Sequence, residues 1–171
     1  MGDYQLQHII PDNYTLLRAF SNGYIWFKNI YYDIEHRNLG YYNQIQTELT
    51  KYFRGSIIKW LINKNNLHYI ETDLKDYIGY EDKTSIMNYI NRFTMVSSKT
   101  TGIVELYILN KIFNIPIIVS DDYDVQLYEI NDGIKKNTNI PTNKRKDYIN
   151  IQYIQISINN IPLVIGTQYF K

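Results

Sequence analysis

In the segment IIPDNYTLLRAFSNG, residues 9–23, an acidic turn runs straight into an apolar helical stripe, and Thr15 stands at the junction. A loop that becomes a helix suits a nucleophile, because the N–H groups of the first turn lack partners within the helix and point outward. A threonine hydroxyl, however, holds no reserve of anion at neutral pH and needs a base at hydrogen-bond distance. Threonine nucleophiles commonly take the chain's own N-terminal amine as that base, and Thr15 is internal. There is no cysteine, which excludes disulfides, thiolate zinc sites and cysteine catalysis. Three histidines remain as bases. His8 precedes Asp12 closely enough to fold back toward Thr15, but reads more simply as a histidine of an opening strand or of the surface. His36 and His68 read as ordinary loop or helix-end residues.

Two further clusters carry charge. Asp121-Asp122-Tyr123-Asp124 gathers three carboxylates but lacks the Gly and the distant Glu of a calcium loop, so a solvated turn between strands is expected. Lys144-Arg145-Lys146, with Lys135 and Lys136 nearby, has the charge to contact phosphate. The remainder of the chain is not basic, so a solvated loop is expected there and nucleic acid is not an expected partner. No phosphate loop, HExxH or GxSxG pattern occurs, and neither a metal nor a cofactor is expected.

The elements that must position these residues follow from periodicity. Leu16, Phe20, Tyr24 and Phe27 predict a helix over 15–28, weakened in its middle by Gly23. Ile45, Leu49, Phe53, Ile57 and Leu61 predict a long amphipathic helix over 43–62. Shorter helices are expected over 71–78, with Asp73 in the opening turn, and over 84–93, capped by Thr84. SSKTTG, residues 97–102, reads as a polar loop before IVELYILNKIF, residues 103–113, a helix apolar on nearly every side. IPIIVS then reads as a buried strand, VQLYEI as a half-exposed one, and 131–147 as a polar loop. YINIQYIQI and IPLVIGTQYF are the last strands, separated by 157–160. Helices first and strands late predict an α+β domain, its helices packed on a mixed or antiparallel sheet. Trp60 is expected to pack beside the long helix's stripe. Trp26 is expected to be buried against the second helix; exposed with Tyr31 and Tyr32, it would form a protein-contact patch.

The 171 residues are read as one domain over 1–171, long enough to bury roughly 70% of the surface of the unfolded chain. A net charge of +1 gives no reason to expect a polyanionic partner. The chain is crowded with Ile, Asn, Lys and Tyr, 18 of the last, which is the bias of an AT-rich genome. No apolar run reaches the roughly 18 residues of a membrane span, and no membrane partner is expected. The opening MGDYQLQHII has neither a basic leader nor a signal-peptide core, and Leu6 stands where myristoylation needs Ser or Thr. An intracellular protein is expected.

Three stretches, in order, resemble the ovarian-tumour (OTU) family of cysteine deubiquitinases. PDNYTLLRAF is similar to the family's Asp-Gly-Asn-Cys-Leu-Phe-Arg-Ala motif, sharing Asp12, Leu16, Arg18 and Ala19, with Leu17 in place of Phe. TTGIVELYILNKIFNIPIIV resembles its Trp-Gly-Gly motif with the Glu-Leu helix and Ile-rich strand that follow: Gly102, Glu105 and Leu106 match, while Thr100-Thr101 replace Trp-Gly. Gln168-Tyr169, in GTQYF, stands where the family closes with His-Tyr. The resemblance covers about residues 9–170 and implies the OTU-like cysteine-protease fold. It also implies that Thr15 occupies the place of the catalytic cysteine and Gln168 that of the base histidine. Asn13-Tyr14 replace the small Gly-Asn pair of the oxyanion loop, and only Asp12 persists. The Gln168 amide is too weakly basic to take a proton. Losing one member of a protease triad costs on the order of 10⁶ in turnover, and here two are replaced.

The resemblance thus implies a catalytically inactive OTU-like domain of a large DNA virus with a eukaryotic host, acting in the host cytoplasm or the virion. Its expected partner is ubiquitin, a ubiquitin-like modifier, or another viral or host protein, bound without cleavage. The relic cleft would be lined by Asp12, Asn13, Tyr14, Thr15, Thr101, Gly102, Gln168 and Tyr169. The Tyr14 ring stands where it would plug the channel for a modifier's tail. Two alternatives stay open: a scaffold or virion component that keeps the fold and has lost the modifier, and a hydrolase that uses unrecognised residues.

Overall fold

A computed structural model describes the backbone of residues 4–9, 14–28, 39–94, 102–121, 123–158 and 161–170, with side chains for 9, 14–28, 44–94, 102–121 and 123–153 of these. Strand β1, Tyr4–His8, opens the chain, and helix α1, Thr15–Phe27, follows. Helix α2 runs over Leu39–Ile62 and leads through a 3₁₀ turn at Lys64–Asn66 into α3, Leu67–Thr72, α4, Lys75–Ile78, and α5, Lys83–Thr94. Helix α6, Ile103–Phe113, precedes β2, Ile117–Ser120, β3, Gln126–Ile130, and β4, Ile134–Lys136. A single turn, α7, Thr142–Arg145, comes before β5, Ile149–Ile158, and β6, Ile161–Phe170. The sheet has the order β1-β6-β5-β2-β3-β4; β2 and β5 are parallel and every other pair is antiparallel. The expected α+β architecture with a mixed sheet is therefore present.

Helix α1 is enclosed on several sides. Leu17, Ala19, Phe20, Ser21, Asn22, Gly23 and Ile25 are all buried, which explains how the helix runs through Gly23 despite its cost. Ile25 packs against Ile45 and Leu49 of α2, and the Ser21 and Thr50 hydroxyls lie 3.1 Å apart between the two helices. On α2 the expected i+4 stripe holds only in part. Four residues advance 400° around a helix, so an i+4 row drifts by about 40° at each step. Phe53, Ile57 and Leu61 are buried, but at the start of the helix the buried positions are Gln46 and Thr50, while Ile45 and Leu49 are half-exposed. Trp60 is packed in the core and Trp26 is half-buried.

Several boundaries differ from expectation. The helix expected over 71–78 breaks near Asp73, which closes α3; its carboxylate accepts a hydrogen bond from Tyr107 of α6. Gly79, at φ +70°, ends α4 in the left-handed conformation that glycine adopts freely. Asp82, not Thr84, caps α5: its Oδ1 accepts from the N–H groups of Thr84 (2.9 Å) and Ser85 (3.3 Å), and Ser85 Oγ accepts back from Glu81 N. The segment 131–147 is not simply a loop, since it holds β4 and α7. A three-residue edge strand is too short for a period-2 signal, and its Lys135 and Lys136 read as loop residues while serving to keep the sheet edge from pairing further. Ser157 and Ile158 belong to β5, whereas 159–160 lie outside the described residues.

Candidate functional site

Thr15 is the first residue of α1, and Tyr14 is its N-cap, with no side-chain capping bond. Arg54, next to the buried Phe53 on α2, lies over the Tyr14 ring at 5.2 Å and donates to Tyr14 Oη at 3.5 Å. Its second nitrogen donates to the Thr94 carbonyl at 3.2 Å, tying the head of α1 to the end of α5. The Tyr14 ring is therefore held against α2 by a cation–π contact. Thr15 itself is only 7% exposed, so its hydroxyl is largely withdrawn from solvent.

Gly102 brings the second wall to this point. It sits at φ +79° immediately before α6, and a Cβ there would lie 2.6 Å from Leu16 Cδ2 and 3.0 Å from Tyr153 Oη. Only a residue without a side chain lets the starts of α1 and α6 meet against β5. Below the contact, Glu105 is buried in the first turn of α6, where the helix N-terminus favours a carboxylate. Burial, and after it the Glu105 carboxylate, push the phenols of Tyr89 and Tyr153 well above the ordinary tyrosine value. Both stay neutral at physiological pH.

Gln168 lies on β6, opposite Asn150 of β5 and Leu6 of β1, and Tyr169 lies opposite Gln5. Asn150 is buried and firmly held: its amide donates to the Arg145 and Tyr148 carbonyls, and its Oδ1 accepts from Arg145 Nε at 3.2 Å. Of the eight residues expected to line the cleft, the structure brings the Thr15–Leu16 start of α1 against Gly102, and places Gln168 and Tyr169 on the strand on which α1 packs. Asp12, Asn13 and Thr101 lie outside the described residues. His8 ends β1 opposite Gly166, His68 is exposed on α3 with its ring against Tyr69, and His36 lies outside the described residues.

Sequence reading missed Arg54 and Tyr153. Arg54 follows a core position on a regular stripe and looks like a solvated neighbour. Tyr153 is one of 18 tyrosines, and only its alternation within β5 marks it as inward-facing. The acidic and basic clusters also prove to be one structure. Arg145, 4% exposed, binds both Asp124 oxygens at 3.0 Å, so the basic run supplies a structural clamp rather than only a solvated surface. Among the described residues, no group of three or more acidic or histidine side chains is placed to hold a metal ion, and no helix is long and apolar enough to cross a membrane.

This arrangement is the fold of the OTU deubiquitinases. An OTU deubiquitinase from Wolbachia pipientis wMel superposes with a TM-score of 0.61, over 96% of this chain and 89% of that one, at 9% identity. The same kind of enzyme bound to ubiquitin gives 0.58 over 95% of each chain at 11% identity, and the viral OTU domain protease of Farallon virus gives 0.50 over 96% and 84% at 10%. In sequence, the chain is 32% identical over 179 residues to protein R327 of Acanthamoeba polyphaga mimivirus, described as uncharacterized. That match covers 98% of this chain and 11% of the relative's length. A relative from a large DNA virus agrees with the expected viral source. No protein-family model matches the chain.

Proposed function

We propose that this chain is a catalytically inactive OTU-fold domain that binds ubiquitin, or a ubiquitin-like modifier, without cleaving it. The observation that carries the reading is a scaffold kept where its chemistry is replaced. Helix α1 meets Gly102 and Tyr153 and packs on β6 within an OTU-like fold, while the resemblance in sequence assigns the two reacting positions to Thr15 and Gln168. Thr15 is buried, and a glutamine amide at the place of the base is too weakly basic to take a proton from a hydroxyl. Binding needs neither group. An OTU deubiquitinase bound to ubiquitin shares the fold over nearly the whole chain, which supports a modifier as the ligand. The cleft would be lined by Asp12, Asn13, Tyr14, Thr15, Thr101, Gly102, Gln168 and Tyr169. The host cytoplasm or the virion is where such a reader would act, shielding modified targets.

Labelled ubiquitin titrated with this protein should show NMR shifts in its C-terminal tail and apolar face. Absence of shifts at millimolar protein sinks the reading. A second reading, a scaffold that has lost the modifier, is favoured by the burial of Thr15 and by the crowding of Leu16 and Tyr153 at Gly102. The double change Thr15→Cys with Gln168→His separates the geometry from the chemistry. Cleavage of ubiquitin chains by that variant, and none by the parent, is the outcome expected of an intact cleft.

A further inference from the structure

The two edges of the sheet carry opposite signals to a further strand. At one edge stands β4, three residues long, where Lys135 and Lys136 discourage pairing. At the other stands β1, five residues long, with the sequence Tyr-Gln-Leu-Gln-His. It contains no Lys, Arg, Asp, Glu or Pro, and its register with β6 runs from Tyr4 to His8 without a bulge. Among the described residues, no strand pairs with its outer side. A regular edge of this kind offers a row of N–H and C=O groups as a template.

The sequence of β1 selects what that template takes. In an antiparallel ladder, alternate residues turn their N–H and C=O groups to the same side, so a residue that bonds outward must face another that does. Two copies of β1 meet this condition with Tyr4 opposite His8, Gln5 opposite Gln7, and Leu6 opposite its own copy. A slip by one residue sets outward groups against inward ones, and a slip by two shortens the ladder. The full register sets amide opposite amide on one face and the rings of Tyr4 and His8 opposite each other on the other. A charged partner strand finds no acid or lysine on β1 to answer it, whereas a second β1 needs none. The edge stops at Ile9, which is 3% exposed and belongs to the core.

We propose that β1 pairs antiparallel with β1 of a second copy of this chain, joining the two six-stranded sheets across a two-fold axis at Leu6. The contact uses the β1 edge of both copies, and the lysines of β4 guard the edges that remain, so assembly stops at two. A ladder of one short strand adds about four to six hydrogen bonds, which makes a small interface and a weak dimer.

Sedimentation velocity on the full chain, up to about 1 mM, should show monomer passing into dimer and nothing larger. Gln5 and Gln7 lie opposite Tyr169 and Thr167 of β6, so a charge introduced at either meets none on that strand. Gln5→Lys with Gln7→Lys sets like charges opposite each other and should hold the protein monomeric. Gln5→Lys with Gln7→Glu sets opposite charges together and should strengthen the dimer at low salt. Both double variants should keep the circular dichroism of the parent. A second measurement reads the register without added charge. The chain has no cysteine, so Gln5→Cys and Gln7→Cys each introduce a lone thiol. Residues directly opposite lie within the about 4.4–6.8 Å between Cα atoms that a disulfide spans. On mild oxidation the two cysteine variants should therefore cross-link when mixed, and not when each is alone. A parent that stays monomeric throughout, a first double variant that dimerises like the parent, a second that does not dimerise, or cysteine variants that cross-link equally alone and mixed would each overturn the proposal.

Discussion

At Gly102 a side chain finds no room unless Leu16 moves aside. Any Cβ there meets Leu16 at 2.6 Å, and the φ of +79° penalises every other residue regardless of space. Gly102→Ala should therefore destabilise the fold by about 1–3 kcal/mol, chiefly through backbone strain, as read from the urea midpoint at an unchanged slope. A loss below about 0.5 kcal/mol would mean that the starts of α1 and α6 separate freely. The resemblance in sequence singled out this glycine from its place in a motif. The reason for it lies in Leu16 and Tyr153, distant in sequence, and no local pattern announces a contact of that range.

At the scale of elements, the β2–β3 turn depends on a residue that sequence reading assigned to a solvated loop. Arg145→Met removes both bonds to Asp124 and those to Asn150 and Ser120 while keeping much of the buried stem. Asp124 is 35% exposed and can take up water, so the cost should sit near the low end for a broken buried pair, about 3 kcal/mol. Amide exchange should accelerate at Tyr123 and Val125, whose N–H groups the turn holds, and not at Leu106 in α6. Uniform acceleration would assign Arg145 to global stability instead. Elements with a clear apolar pattern were legible: α1, α2, α6, β2, β3, β5 and β6 stand within a few residues of where that pattern put them. The polar elements β4 and α7 were not, nor was the break between α3 and α4 at Asp73. Segments without an apolar pattern take their form from partners.

For the whole molecule, the core holds an unusual number of phenols. Tyr89, Tyr107 and Tyr153 are buried, and each is raised well above the ordinary value, by burial first and then by Glu105 or Asp73. A group whose folded pKa is raised contributes stability that is complete below its unfolded pKa and declines as pH climbs from there toward the folded one. For a tyrosine that decline begins near about pH 10, at about 1.4 kcal/mol per pH unit for each phenol. Stability should therefore fall as pH rises above about 10, steeply enough for alkali to unfold the protein. The last part of the phenolate absorbance, that of these three residues, should appear only with unfolding at alkaline pH. Complete phenolate absorbance while the fold persists would show them accessible after all.

The outer edge of the sheet joins the first strand to the last, Tyr4 opposite Phe170 and His8 opposite Gly166. During synthesis β1 is made well before β6, its strand partner among the described residues, which follows on the order of ten to thirty seconds later at bacterial to eukaryotic ribosome speeds. Thr15 and Gln168 are separated by the same interval. The edge of the sheet thus waits for β6, and a ribosome stalled anywhere between the two strands holds β1 without that partner.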